Sequence, residues 1–223
     1  MYQLCIFDLD GTLANTLSSI AFYSNGALVR HGLPAIPVED YRMMVGNGIY
    51  TQVHRMLAYH GKDKPELWRS VLDDYRAAYH KDPLHLVEPY PGIVDMLRDL
   101  HAMGVHTAVL SNKPDDLARH IVTHLFGEDT FSFCLGQRDD IPQKPDPTGV
   151  HLILQQLGVQ PQHCLYAGDS SVDMRTGKAA GAFTVGVTWG FRSAEELQEN
   201  GADMLAHHPS DIARHVAACR AQL

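Results

Sequence analysis

The sequence lacks long apolar runs. Among its 223 residues no uninterrupted apolar stretch reaches the roughly 18 residues that a transmembrane helix needs. The N-terminus also shows no basic segment followed by an apolar one, which is the pattern of a secretory leader. We therefore expect a soluble cytoplasmic protein with no membrane partner.

Cysteine is scarce and scattered. The chain has four cysteines, Cys5, Cys134, Cys164 and Cys219, and no CxxC pair. Because two of them lie in apolar runs, we expect reduced thiols in the core rather than a disulfide framework or a zinc site. The 14 histidines show no HxH or HExxH spacing, so we expect structural or solvated roles for them.

Basic residues are fewer than acidic ones. The sequence has 18 Lys and Arg against 26 Asp and Glu, which gives a formal net charge of -8. Nucleic-acid binding needs a basic surface that neutralises phosphates, so this balance favours small-molecule partners. The hydrophobic content of 45% allows a sizeable core, either in one large domain or in a domain with a smaller insert.

A short apolar run near the N-terminus leads directly into two carboxylates. Residues 5–7 are followed by Asp8 and Asp10, and then by Gly11 and Thr12. Residues two apart on an extended chain point the same way, so we expect both carboxylates in one crevice at the end of a buried strand. Two like charges this close repel each other, and a divalent cation would relieve the repulsion.

Residues 16 to 82 show helical periodicity and no strand signal. The apolar positions form three helix faces, which are Leu17, Ile20, Ala21 and Leu28; Ile49, Val53, Met56 and Leu57; and Trp68, Val71, Leu72, Tyr75 and Tyr79. This segment is therefore predicted to be a helical insert of the size of a small bundle.

Beyond this insert the pattern alternates between helix and strand. Apolar spacing predicts helices over 93–100 and 150–157. The predicted strands are 105–110, 131–135, 164–167 and 183–187. Helices between strands imply parallel pairing through crossover connections. The sequence thus predicts an α/β fold, with a Rossmann-like doubly wound parallel sheet core (1–14 and 86–223) and an inserted helical cap (15–85).

Polar side chains follow the predicted strands. Residues 111–113 (Ser-Asn-Lys) follow the second strand, Asp169 and Asp173 follow a later one, and Lys144 precedes a predicted helix. Ligands of open parallel sheets bind at the carboxyl ends of the strands, where these groups converge. Oxygen ligands with room for water suit Mg²⁺. Phosphoryl transfer needs such an ion together with cationic and hydroxyl donors.

Four short motifs occur in a defined order along the chain. They are Asp8-Leu9-Asp10-Gly11-Thr12, Ser111, Lys144-Pro145 and Gly168-Asp169-Ser170-Ser171-Val172-Asp173. With these four motifs in this order, the sequence resembles the haloacid dehalogenase superfamily of aspartate-nucleophile phosphohydrolases. The resemblance covers essentially the whole chain and implies a Rossmann-like core with a helical cap inserted after the first strand.

The resemblance also implies roles for the carboxylates. Asp8 would attack phosphorus and form an aspartyl-phosphate. Asp10 would protonate the leaving oxygen and then activate the hydrolytic water. Mg²⁺ would be held by Asp8, by the backbone carbonyl of Asp10 and by Asp169. Asp173 would either contact these ligands without touching the ion, or bind the ion through a water molecule.

The remaining motif residues are implied to bind the phosphoryl group. Ser111 and Lys144 would hold its oxygens, and Lys144 would also offset the charge of the carboxylates. Asn112 belongs to the same phosphate-binding segment. Thr12 would order the loop around Asp8.

Other residues narrow the resemblance. Dehalogenases and phosphonatases of this superfamily lack the second aspartate, so Asp10 favours a phosphatase or a phosphomutase. The segment Val45-Gly46-Asn47-Gly48 is similar to the substrate-facing loop of phosphoglycolate phosphatases, and Asn47 and Arg55 are candidate neighbours of the phosphate ester. Asn15 stands where the family often has an aspartate.

The expected function is hydrolysis of a small phosphorylated metabolite, with 2-phosphoglycolate as first choice, by a monomer or homodimer. A β-phosphoglucomutase-like phosphosugar mutase or a pyrophosphatase is an alternative among enzymes. A receiver-like phospho-aspartate signalling domain is an alternative of another class, because it also clusters aspartates, a hydroxyl group and a lysine on a parallel sheet. A helical insert of about seventy residues would be unexplained in a receiver.

Overall fold

The computed structural model describes residues 1–221, which form two compact units. The first unit contains residues 1–15 together with the chain from Pro89 onward, and the second is Thr16–Glu88. Within the described residues, no helix is both long and apolar enough to span a membrane.

The first unit is built on a six-stranded parallel sheet. Its strands are β1 (Leu4–Phe7), β4 (His106–Pro114), β5 (Phe133–Gln137), β6 (Cys164–Gly168), β7 (Phe183–Val187) and β8 (Met204–Ala206). They are arranged in the order β5-β4-β1-β6-β7-β8, and every neighbouring pair is parallel. Two further strands, β2 (Ala14–Asn15) and β3 (Glu88–Pro89), form a two-stranded sheet.

The order of the strands creates a topological switch point. From β1 the chain adds β4 and then β5 on one side, and it returns to add β6, β7 and β8 on the other side. A crevice for ligands is expected between β1 and β6, outside their carboxyl ends, because the connections diverge there. The predicted doubly wound α/β fold is confirmed.

Helices connect the strands. The chain forms α1 (Leu17–Arg30), α2 (Gly48–Tyr59), α3 (Pro65–Lys81), α4 (Ile93–Ala102), α5 (Asp115–Phe126), α6 (Thr148–Leu157), α7 (Ser171–Ala179), α8 (Ala194–Glu199) and α9 (Pro209–Ala221). Strands β1 and β6 are buried along their whole length, as expected of parallel strands that are covered on both faces. On one face, Leu4 and Ile6 pack in a cluster with Val150, Ile153 and Tyr166.

The second unit is helical. It contains α1, α2, α3 and a 3-10 segment at Val38–Met43. All three predicted helix faces form helices, and an aromatic cluster connects α1 to α3 through Tyr23 and Tyr79, with ring centroids 5.1 Å apart. Trp68 belongs to the third predicted apolar face, but it is only half-buried. It stacks with His54 at a centroid distance of 4.9 Å.

The strands differ from the sequence prediction at several places. Strand β5 spans Phe133–Gln137, two residues later than the predicted 131–135, and the two-residue strands β2 and β3 were not predicted. Strand β4 continues to Pro114, so residues 111–113 lie within the strand and are not in a loop after it. Strand β8 was not predicted, since three residues are too few to show a periodic pattern.

Candidate active site

Asp8 lies at the carboxyl end of β1. Its backbone N–H donates to the carbonyl of Ala167 in β6 at 3.0 Å. The first residue beyond β1 is thereby held against the neighbouring strand. The residue is 6% exposed. Asp8 is therefore a buried carboxylate at the switch point.

Two glycines allow the backbone to close around Asp169. Gly11 has a φ of +86°, and a Cβ at this position would lie 2.3 Å from Oδ2 of Asp169. A Cβ at Gly190 would lie 2.2 Å from the Cβ of Asp169 and 2.5 Å from the carbonyl oxygen of Gly11. Only glycine fits where the backbone approaches another group this closely.

Three buried carboxylates meet between β1 and β6. One oxygen from each of Asp8, Asp169 and Asp173 lies within 4.8 Å of the other two. Burial raises the pKa of the Asp8 carboxyl to about 7, despite the opposing effect of Lys144. Burial, reinforced by Asp173 and Asp8, also raises the pKa of Asp169 well above its usual range. A cation among these oxygens would stabilise their ionised forms.

Lys144 is a cation of this cluster. Its Nζ lies 2.9 Å from Oδ1 of Asp8 and 2.8 Å from Oδ1 of Asp173. Burial alone would lower the pKa of Lys144, but the two carboxylates outweigh burial and raise this pKa well above its usual value. The ammonium group therefore keeps its charge beside the Asp8 carboxylate.

Asn112 holds the backbone of Lys144. Its Nδ2 donates to the Lys144 carbonyl at 3.1 Å, and its Oδ1 accepts from the Lys144 N–H at 2.9 Å. The carboxamide thus fixes the peptide that carries the cation. The predicted contact of Asn112 with phosphate stays a prediction.

Both carboxylate oxygens of Asp173 accept hydrogen bonds from the protein. Oδ1 accepts from Lys144 and from the hydroxyl of Tyr166, at 2.8 and 3.2 Å. Oδ2 accepts from the N–H and the hydroxyl of Ser170, at 3.1 and 2.6 Å. With the bond from the Asp173 N–H to the Ser170 hydroxyl, these contacts form a capping box at the start of α7.

Asp169 and Thr12 are connected by a hydrogen bond. The Thr12 hydroxyl donates to Oδ1 of Asp169 at 3.4 Å, and the N–H of Phe191 donates to Oδ2 at 2.7 Å. The indole of Trp189 donates to the Thr12 carbonyl at 3.0 Å. Thr12 therefore connects the loop after β1 to two other segments of the site.

Asp10 forms an ion pair with Lys113. The Lys113 Nζ lies 3.0 and 3.3 Å from the two carboxylate oxygens of Asp10. The Lys113 N–H donates to the hydroxyl oxygen of Ser111 at 3.2 Å. Ser111 and Lys113 are two apart in β4, in a stretch where the register against β5 shifts. The pairing of β1 with β4 reaches Phe7 and Val109, and Asp10 and Lys113 meet just beyond these residues.

Asn47 and Arg55 lie together in the second unit. The guanidinium of Arg55 donates to Oδ1 of Asn47 at 3.0 Å and to the carbonyls of Met43 and Met44, both at 3.1 Å. These bonds hold the turn that precedes α2. Contact of either side chain with a phosphate ester stays a prediction.

The charges of the candidate site do not balance. Its carboxylates are Asp8, Asp10, Asp169 and Asp173, and its ammonium groups are Lys113 and Lys144. Four negative and two positive side chains leave a formal excess of two negative charges among these six residues. Oxygen donors suit a hard divalent cation, which would balance this excess. The residues therefore fit a metal ion such as Mg²⁺.

Comparison with known proteins identifies the family. Residues 5–187 match the family model described as haloacid dehalogenase-like hydrolase. The chain belongs to this family. Among relatives of this hydrolase, a phosphoglycolate phosphatase from Cereibacter sphaeroides is 34% identical, covering 96% of the chain and 98% of the relative. A phosphoglycolate phosphatase from Pseudomonas putida is 32% identical, covering 91% of the chain and 75% of the relative.

Solved structures of the family share the fold. A crystal structure from Lactobacillus delbrueckii subsp. bulgaricus, provisionally named a phosphoglycolate phosphatase, aligns with a TM-score of 0.92. It is 30% identical, and the alignment covers 96% of this chain and 98% of that one. The predicted resemblance is confirmed, and the chain is a hydrolase similar to the phosphoglycolate phosphatases. This family assignment also favours an enzyme over the receiver-like alternative.

Several residues that contact the site were not predicted as site residues. Lys113 belongs to the predicted segment Ser111-Asn112-Lys113, but the sequence gives it no role of its own. The N–H of Phe191 had no sequence signal, because it follows Asp169 by 22 residues and any residue type can supply a backbone donor.

Proposed function

We propose that this hydrolase is a Mg²⁺-dependent phosphatase that hydrolyses 2-phosphoglycolate through an aspartyl-phosphate at Asp8. The observation that carries the proposal is the position of Asp8, which contacts Lys144 at 2.9 Å and shares a buried cluster with two further carboxylates. The names of the relatives support the choice of substrate.

Asp8 is proposed as the nucleophile. One carboxylate oxygen would form a bond to phosphorus while the ester oxygen departs, which splits hydrolysis into two easier steps. Lys144 would stabilise the equatorial phosphoryl oxygens, and the Ser111 hydroxyl would donate a hydrogen bond to one of them. A bound Mg²⁺ would stabilise negative charge on the phosphoryl oxygens.

Asp10 is proposed as the general acid and base. Its carboxyl group would donate a proton to the leaving oxygen and then accept one from the water that attacks the aspartyl-phosphate. Asp8, the Asp10 carbonyl and Asp169 would hold the ion. Asp173, whose oxygens already accept hydrogen bonds, would orient Lys144.

The second unit is proposed as a cap that selects the substrate. Caps of this kind exclude water and bring specificity residues to a reaction centre. We propose that Asn47 and Arg55, which are joined by a hydrogen bond, belong to the substrate-selecting segment. We further propose a cytoplasmic enzyme without nucleic-acid or membrane partners, acting as a monomer or homodimer.

The test is phosphate release from 2-phosphoglycolate by the wild-type protein and by Asp8→Asn, with Mg²⁺ and with a chelator. We expect turnover only in the wild type with Mg²⁺. Asp140→Asn, which changes an exposed carboxylate, is the matched control and should retain wild-type turnover. Near-normal turnover by Asp8→Asn would contradict the nucleophile. Conversion of β-glucose 1-phosphate without phosphate release would favour the mutase, and faster hydrolysis of pyrophosphate than of 2-phosphoglycolate would favour the pyrophosphatase.

A further inference from the structure

Lys113 is a buried cation that the proposed reaction leaves without a role. Its side chain is 5% exposed, and it contacts both oxygens of Asp10, whose side chain is 13% exposed. Ordering a long lysine side chain costs conformational entropy, and burying its charge costs hydration. This position therefore calls for an explanation beyond surface charge.

We propose that Lys113 is a positioning residue that orients the carboxyl group of Asp10 toward the leaving oxygen of the phosphate ester. This inference rests on the proposed function, in which Asp10 transfers the proton. Lys113 itself forms no bond to the reacting atoms. Its ammonium group acts through Asp10.

The geometry supports this role in two ways. First, contacts of one ammonium group with both Asp10 oxygens restrict rotation of the side chain. When one oxygen carries the proton for the leaving group, the other can keep its contact with Lys113, and proton transfer needs the donor within hydrogen-bond reach of the leaving oxygen. Second, the same strand places Ser111, and the Lys113 N–H donates to the Ser111 hydroxyl oxygen at 3.2 Å. The Ser111 hydroxyl, which is proposed to bind phosphate, and the Lys113 ammonium group therefore belong to one hydrogen-bonded segment. Small misplacements of such groups strongly reduce reaction rates.

The strand register adds a third constraint. Strands β1 and β4 pair in parallel, with Phe7 opposite Val109. Asp10 and Lys113 follow these two residues by three and four positions. The parallel pairing therefore brings the segments that carry Asp10 and Lys113 to the same edge of the sheet.

The leaving group of the substrate separates positioning from other roles. An alkyl phosphate such as 2-phosphoglycolate releases a strongly basic alkoxide that needs a proton, whereas p-nitrophenyl phosphate releases a stable phenolate that does not. The value of kcat/KM covers the first phosphoryl transfer and therefore the proton donation. We would measure it with Mg²⁺ for both substrates in the wild type, Lys113→Met, Lys113→Arg, Asp10→Asn and the double variant.

We expect Lys113→Met to lower kcat/KM for 2-phosphoglycolate by about 100-fold, within the range that general acid catalysis contributes. For p-nitrophenyl phosphate the loss should be about threefold or less, since only the proton donor is misplaced. Lys113→Arg should recover part of the loss. In the Asp10→Asn background, Lys113→Met should not further change the ratio of kcat/KM for 2-phosphoglycolate to kcat/KM for p-nitrophenyl phosphate. Both substitutions act on the same group, so their effects should not add.

Equal losses for both substrates would overturn the inference and assign Lys113 a structural role. A rise in KM confined to carboxylated phosphate esters would also overturn it, because Lys113 would then bind the substrate. Lys178→Met, which removes a lysine paired with Asp203 outside the site, is the matched control and should leave the ratio unchanged. If Asp10→Asn itself leaves the ratio unchanged, the proposed proton donor is wrong, and this failure is recognised independently of Lys113.

Discussion

The carboxamide of Asn112 binds both the N–H and the carbonyl of Lys144. The two hydrogen bonds measure 2.9 and 3.1 Å, and both residues are buried. A side chain from β4 thus fixes the backbone of a residue that lies 32 positions later and carries the ammonium group beside Asp8.

Asn112→Ala should release this backbone. Loss of two buried hydrogen bonds is expected to lower the free energy of unfolding by about 2 kcal/mol. Displacement of the Lys144 ammonium should also reduce kcat by about 100-fold. Urea denaturation and steady-state kinetics measure the two effects. Unchanged kcat with reduced stability would show that Lys144 keeps its position without Asn112.

Gly190→Ala should impair the site through sterics alone. An added Cβ would lie 2.5 Å from the Gly11 carbonyl oxygen and 2.2 Å from the Cβ of Asp169, so the loop that follows β1 must shift. We expect a loss of turnover by about 100-fold or more. Gly104→Ala is a partial control, since a Cβ there meets nothing within 4 Å although its φ is +67°. Normal activity of Gly190→Ala would mean that the loop adjusts freely.

Removal of one acidic charge should affect stability differently with and without Mg²⁺. In the metal-free protein, Asp169→Asn should raise the free energy of unfolding, because burial and neighbouring carboxylates raise the pKa of Asp169 and disfavour its ionised form. Mg²⁺ at about 100 times its Kd should stabilise the wild type by about 2.7 kcal/mol and leave the variant nearly unchanged. Thermal unfolding with and without Mg²⁺ tests both effects, and equal stabilisation by Mg²⁺ would exclude Asp169 as a ligand.

Asp203 should make stability depend on pH. Partial burial would raise the pKa of Asp203, but hydrogen bonds from Lys178 and Thr184 outweigh burial and lower it. A carboxyl group whose folded-state pKa is lowered contributes stability above its unfolded pKa of about 3.9 and loses it as the pH falls below that value. Because solvent weakens the interactions of this exposed residue, Asp203→Ala should cost about 1 kcal/mol at pH 7, and the difference from wild type should shrink between about pH 4 and the folded-state pKa.

Chemical denaturation at several pH values measures this difference. Asp140→Ala is the control, because its carboxylate pairs with Arg138 on the surface and such pairs contribute little. A difference for Asp203→Ala that stays constant from pH 7 to pH 3 would contradict the proposed linkage.

Local patterns in the sequence were sufficient for much of the fold. Buried parallel strands such as β1 and β6 have continuous apolar runs, and the helices have apolar residues at helical spacing. Candidate site residues at the ends of these runs could therefore be identified from the sequence. The end of β4 and the whole of β8 could not, because β4 continues through polar residues past a register shift and β8 has only three residues.

The sequence by itself determined the order of the elements and the α/β class. It also determined that polar site residues stand near the ends of these elements, namely Asp8, Asp10, Ser111, Lys144 and Asp169. Only the tertiary structure decided which partners these groups have. Lys113 contacts Asp10 across 103 positions, and the Phe191 N–H contacts Asp169 across 22. Such contacts depend on strand order and register, which bring distant residues together, and periodicity along the chain carries no information about distance across it.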